Sequence, residues 1–259
     1  MNAHRPLWKA ALDYRQGPSH RRAGIPCQDY GRLLMPDGET LIAAIADGAG
    51  SAPHSRLGAR VAVEAALSEA KRRLEQERFR DAGDLSKLLG EVVSAVRAAL
   101  TDAANDNNLT LGDLACTLTV IALTPGSVAA AQIGDGFVVA RSGRGSYEML
   151  IAPDRGEYAN ETSFVTDVDA ETRLRLSVWE KEVQFLSAAT DGLASVSLDQ
   201  RLGQPHANFF RPMDQFAHMS DGAGEIHDGI REFLASERLT ARVDDDVALL
   251  VCGRIGSLA

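Results

Sequence analysis

Cysteine is scarce in this 259-residue chain, with only Cys27, Cys116 and Cys252, an odd number that shows no CxxC spacing. Such a set offers no disulfide framework and points to a reducing compartment. Each of the three reads as a small buried hydrophobe. Long hydrophobic runs are missing as well. The longest clean one, Leu41 to Ala46, is far too short to span a bilayer. Residues 1–17 hold no apolar stretch of signal-peptide length, so a cytoplasmic chain with no membrane partner is expected. No lysine/arginine run interrupts a chain of net charge −9, which argues against a nucleic-acid partner. EF-hand loops, the GxxxxGK[ST] signature, internal repeats and Pro/Ser linkers are all absent. A single domain over residues 1–259 is expected, large enough to bury its own core.

What is present is an ordered series of patterns. Leu7 to Tyr14 reads as a mixed strand, Tyr30 to Leu34 as a short one and Leu41 to Ala46 as a buried one. Pro36-Asp37-Gly38 marks a hairpin turn between the last two. Apolar residues at helical spacing predict helices over Ser55 to Phe79 and Leu85 to Leu100, the second capped by Asp84. Strands return at Ala115 to Leu123 and Ser127 to Ile133, around a type II turn signature at Thr124-Pro125-Gly126. Further strands are predicted at Phe137 to Arg141, Tyr147 to Ile151 and Val183 to Ala189. A mixed helical segment runs from Ala207 to Leu234, and Asp246 to Cys252 is a buried final strand. Tight hairpins speak against a regular βαβ alternation, and helices in blocks predict layers over packed sheets: an α+β sandwich.

Aspartates interrupt these apolar strands at their ends. Asp47 follows Leu41–Ala46 and precedes Gly48, Asp135 follows Gly134, and Asp191 follows Thr190 and precedes Gly192. Asp245 and Asp246 precede Val247–Val251, and Asp29 starts a strand after Cys27-Gln28. A strand end is a rigid platform, and neighbouring glycines let backbone carbonyls approach a ligand. Carboxylates converging at one end of packed sheets repel one another, and Mg²⁺ or Mn²⁺, which prefer oxygen ligands, would relieve them. Any one Asp-Gly is more often a turn, and Asp37 and Asp221 read that way.

In order along the chain, seven stretches resemble the metal-dependent (PPM, type 2C) serine/threonine protein phosphatases, closest to the compact bacterial branch. They are GPSHRRAGIPCQDYG (17–31), IADGAGSAPHSRLGA (45–59), ACTLTVIAL (115–123), IGDGFVVA (133–140), RGEYANETSFVT (155–166), SAATDGLASVS (187–197) and DDDVALLV (244–251). The resemblance implies a four-layer αββα sandwich with two cations, Mg²⁺ or Mn²⁺, between mainly antiparallel sheets. It implies that Asp47 bridges them with help from the Gly48 carbonyl, that Asp191 and Asp245 complete the centre, and that Asp29 acts there too. Asp135 would hold a third, weaker cation, although Ser195 stands where a second ligand for it is usual. Residues 156–162 resemble a flap beside the site. The implied substrate is a phosphorylated protein in a serine/threonine kinase pathway. Activated water would be the nucleophile, with no role for Cys or Ser.

The chain departs from the family pattern in places. Gly24 stands where many members carry a phosphate-gripping Arg, and His20 and Arg22 are the expected substitutes, although Arg21 and Arg22 also read as surface charges. Ala49 replaces a His of some relatives, and His54 reads as a helix-start residue. The apolar register puts Asp245 at the metal position and Asp246 at the position usually held by Asn, with a one-residue slip as the alternative. These departures motivate a competing reading, a catalytically weak or inactive phosphoprotein-binding scaffold of the same fold.

Overall fold

The computed structural model describes residues 7–76, 81–154, 162–199 and 201–256. The chain runs β1 (Trp8–Arg15), α1 (Pro18–Ala23), β2 (Tyr30–Leu34), β3 (Leu41–Ala46), α2 (Ser55–Gln76) and α3 (Ala82–Asp106). Then come β4 (Leu118–Leu123), β5 (Val128–Ile133), β6 (Phe137–Ser142), β7 (Glu148–Ile151), β8 (Arg175–Trp179) and β9 (Val183–Ala189). The last part holds α4 (Ala194–Ser197), α5 (Ala207–Met219), α6 (Ala223–Ala235), α7 (Glu237–Thr240) and β10 (Val247–Arg254). Two five-stranded sheets form, ordered β1-β10-β9-β6-β7 and β2-β3-β4-β5-β8, and every pairing in them is antiparallel.

Period-two alternation explains why the central strands are apolar throughout. In β3, Leu41, Ala43 and Ile45 face the other sheet, whose Val138, Leu186, Ala188 and Leu250 meet them. The alternate residues Ile42, Ala44 and Ala46 face α2 and α3. On the opposite side, Leu249 and Val251 of β10 meet Phe210, Ile226 and Ile230 from α5 and α6. The layers are therefore helix, sheet, sheet, helix. Small residues set the first spacing: Ala59, Ala62, Ala66 and Ala70 of α2 are wholly buried. A Cβ on Gly58 would lie 2.0 Å from the Leu114 carbonyl oxygen.

The structure corrects several local expectations. The cap of α3 is Asp81, whose carboxylate accepts from the Asp84 amide at 2.9 Å, so Asp84 sits inside the first turn. Gly126 lacks the positive φ that a type II turn requires, although the Thr124 amide still closes the turn onto Ser127 O at 2.8 Å. The segment from Ala207 is two helices, broken at Ser220-Asp221-Gly222. The aspartate at 37 is a turn residue as expected, accepting from the amides of Glu39 and Thr40.

A charged knot fastens α5 to the outer sheet face. Asp214 accepts from Arg141 at 2.6 and 2.9 Å and from the Tyr147 hydroxyl at 2.8 Å, and His218 stands 2.9 Å away. Burial alone would raise the Asp214 carboxyl, but hydrogen bonds from His218, Arg141 and Tyr147 outweigh it and hold it at about 2. Asp214→Ala is expected to destabilise the protein by about 3–5 kcal/mol, because Arg141 keeps its charge in a nearly buried place. Since the folded pKa lies below the ordinary 3.8, the Asp214 contribution is complete above that value and fades as pH falls towards 2. Urea denaturation of both proteins at pH 6 and near pH 2 checks this; an unchanged difference between them would contradict it.

Candidate metal centre

Antiparallel pairing places the end of one strand beside the start of the next, so the loops after β3, β5 and β9 gather with those before β4, β6 and β10. The aspartates of the sequence motifs sit in this gathering. The Asp47 amide donates to Thr117 Oγ1 at 2.9 Å and its carbonyl accepts from the Thr117 amide at 2.8 Å, which fixes the end of β3 to the start of β4. Gly48 bridges Cys116, and a Cβ there would lie 2.9 Å from Ser55, so only glycine lets the loop pass. Gly134 has φ +120° and presses on Thr117, which turns Asp135 into the cluster.

Oxygen atoms of Asp47, Asp135 and Asp191 lie within 4.8 Å of one another. The Asp47 carboxyl also meets that of Asp29. Asp29 is almost fully buried; its Oδ2 accepts from Thr190 Oγ1 at 2.7 Å, and its Oδ1 has no partner. Thr190 Oγ1 in turn accepts from the Ala248 amide at 2.9 Å, so the carboxylate is aimed by the sheet itself. Asp245 adds its charge to Asp47 and Asp191.

The electrostatic outcome is severe. Burial raises Asp29 to about 8, opposed by the Thr190 hydrogen bond and reinforced by the charges of Asp246 and Asp191. Asp47 is raised well above the usual carboxylate range, by burial first and then by Asp29, Asp191 and Asp245. Asp191 rises to about 6 through burial and the charges of Asp135 and Asp245. A crowded set of hard oxygens, one of them buried and unpaired, matches what a small divalent cation requires. The thiols do not compete for a chemical role, since burial, aided by Asp246 and Asp29, pushes Cys27 far up, and burial does the same to Cys116 and Cys252.

The two neighbouring aspartates of the last motif part ways. Asp246 is 2% exposed and accepts from the amides of Gly17 at 2.7 Å and Gln28 at 2.6 Å. It thereby ties the β1–α1 junction and the Gln28-Asp29 segment to β10. Asp245 is exposed and borders Asp47 and Asp191. His20 Nδ1 lies 2.9 Å from Asp246 Oδ2, and Arg22, largely exposed, pairs with Asp244 at 3.1 Å. Helix α1 thus stands along the Asp245 side of the cluster. His54 is exposed just ahead of α2, its amide bonded to Asp113 O. The flap expected at 156–162 lies outside the described residues apart from Thr162, whose hydroxyl donates to Asp135 Oδ2 at 2.7 Å.

The sequence did not single out Thr117, Thr162 and Thr190, and it placed Asp246 in the last motif without its hold on the Gly17 and Gln28 amides. The available signal was position, since Thr117 and Thr190 are polar residues directly flanking apolar strands. One stability consequence follows. With cations chelated, Asp47→Asn is expected to raise Tm at pH 8 by about 2–4 °C, the shift for about 1 kcal/mol in a chain of this size. At pH 5 the gain should shrink, because Asp29 (about 8) and Asp191 (about 6) hold protons there and no longer repel position 47. Thermal melts at the two pH values decide it; a loss of Tm at both would contradict the repulsion.

The sequence profile of the family described as protein phosphatase 2C matches residues 16–235. The chain is 31% identical over 250 residues to serine/threonine-protein phosphatase 3 of Escherichia coli K12, covering 93% of this chain and 96% of that protein. In fold it matches the serine/threonine phosphatase Stp1 of Staphylococcus aureus with a TM-score of 0.64, covering 96% of each chain at 13% identity. PppA of Pseudomonas aeruginosa matches with a TM-score of 0.65 at 14% identity, covering 96% of this chain and 98% of that one. Family profile, relative and fold agree with the aspartate cluster: the chain belongs to the protein phosphatase 2C family of metal-dependent protein phosphatases.

Proposed function

We propose that the chain hydrolyses phosphoserine and phosphothreonine in proteins, opposing a serine/threonine kinase, with Mg²⁺ or Mn²⁺ held by Asp47, Asp191, Asp245, Asp29 and the Gly48 carbonyl. The observation that carries this is the meeting of Asp47, Asp135 and Asp191 within 4.8 Å at the strand ends, with Asp29 against Asp47 and Asp245 adding charge. Two cations bound there would supply Lewis acidity and a water of lowered pKa. The retained cluster also disfavours the scaffold reading, because a site freed from catalysis gains stability by losing these charges.

The protein's own groups do the positioning. Thr190 holds the Asp29 carboxylate and Thr117 holds the Asp47 backbone, so these groups would present a preorganised set of oxygens to a cation. Asp135, tied to Thr162, stands at the outer side and is assigned to a third, weaker cation. The phosphate grip is assigned to α1: His20 lies beside Asp245 and Asp246, and Arg22, paired with Asp244, is exposed enough to leave it for a phosphoryl group. A guanidinium suits a phosphoryl oxygen pair.

Hydrolysis of p-nitrophenyl phosphate and of phosphothreonine peptides should require added Mn²⁺ or Mg²⁺ and cease with EDTA. Asp47→Asn and Asp191→Asn should each lower kcat by about 100-fold or more, the scale on which removal of a key electrostatic group acts. Activity within a fewfold of wild type in either variant would defeat the assignment. Thr190→Val should leave the fold intact and weaken metal activation by about tenfold, as loss of a group that orients a ligand does; a metal titration of activity reads it. Arg22→Ala should raise KM for phosphopeptides with kcat little changed, and an unaltered KM would remove Arg22 from the grip.

A further inference from the structure

The other helical layer holds a feature that phosphatase chemistry does not use. A cavity of about 820 Å³ opens between α5, α6, α7 and the outer face of β10. Its walls include Phe209, Phe216, Phe233, Leu249 and Val251. Glycine makes part of this shape: a Cβ on Gly229 of α6 would lie 2.4 Å from the Phe216 ring, so the ring stands where a side chain from α6 would otherwise fill the gap. Pro212, inside α5, also lines it.

The polar groups at this cavity are of one prevailing sign. Arg238, Arg242 and His206 line it, against the single carboxylate of Glu232. Arg238 and Arg242 are four residues apart and both exposed, and among the described residues no ion pair or side-chain hydrogen bond engages either guanidinium. In a chain of net charge −9, most cations near a carboxylate are paired, as Arg141, Arg32 and Arg73 are. An apolar chamber of small-ligand size with free guanidinium groups at its side is complementary to an amphiphile carrying an anionic head.

We propose that this cavity binds a single-chain amphiphilic carboxylate, its apolar body among the phenylalanines and its head on Arg238 and Arg242. The volume lies in the range of small-molecule sites, and Arg238 and Arg242, unpaired among the described residues and beside the apolar lining, suit the anionic head of one such ligand. The site is separate from the aspartate cluster, so binding requires no metal and no phosphatase activity.

Dodecanoate, kept below its micellar concentration and with EDTA present, is the probe. Thermal melts and calorimetric titration should show saturable binding to the wild-type protein, with at least tenfold weaker binding of dodecyltrimethylammonium and of dodecanol. The double variant R238E/R242E alters exposed groups and should fold normally, yet lose at least tenfold in dodecanoate affinity. Ala207→Trp, which places bulk into the cavity lining, should lose binding as well while its metal-dependent hydrolysis persists. No saturable binding to wild type, equal binding of the cationic analogue, or unchanged affinity in R238E/R242E would each overturn the proposal. So would sedimentation showing that a second copy covers this face and excludes dodecanoate. If Ala207→Trp does not fold, the arginine pair and the head-group series decide the question alone.

Discussion

Repulsion among buried carboxylates is the constraint around which this molecule is built. Asp47, Asp135 and Asp191 meet at the ends of β3, β5 and β9, Asp29 lies against Asp47, and Asp245 adds charge from beside them. Nothing in the sheets favours that arrangement for its own sake. It persists because rigid strands hold the side chains and because the surrounding core is large enough to bear the cost. Natural proteins carry their local inconsistencies at functional sites, and here the inconsistency is electrostatic. Two sheets covered on both outer faces supply the compensating burial, seen in strands such as β3 and β4 where every residue is buried.

The same constraint explains the glycines and threonines around the cluster. Gly48 and Gly134 occupy positions where a Cβ would collide with Ser55 or Thr117. Thr117 and Thr190 turn hydroxyl groups onto the aspartate segments, and Thr190 links Asp29 to the β10 backbone. The cluster is therefore embedded in the hydrogen-bonding of both sheets. A cation would neutralise a preformed set of oxygens instead of assembling it from mobile loops.

Much of this was legible in the sequence, for specific reasons. Leu41–Ala46 reads as buried on both faces because both its alternate sets are apolar, and the structure shows one set facing each layer. The motif aspartates were visible because each interrupts an apolar run. Other elements left no such mark. Strand β8 lies at a sheet edge with only partly buried or exposed residues, and its short alternation of Leu176 and Val178 between polar neighbours is a weak signature. Helix α1 has no buried residue and takes its place from hydrogen bonds to Asp244 and Asp246, made across more than two hundred positions of sequence. The division of labour between Asp245 and Asp246 belongs to the same class, since it depends on backbone amides of Gly17 and Gln28 that no local pattern announces.

Strand β10 sits between β1 and β9, and Asp246 at its start binds the junction after β1. The last of the ten described strands in sequence thus lies inside a sheet whose edge strand is the first. On the ribosome, the earlier strands and helices emerge with the Asp29–Asp47 pair but without the residues that order the Asp29 segment and α1. Long-range pairing of this kind is slow to form. The centre consequently cannot mature on a partial chain. A polypeptide cut before Asp245 lacks Asp245, Asp246 and the Ala248 amide together, and with them the ties that aim Asp29.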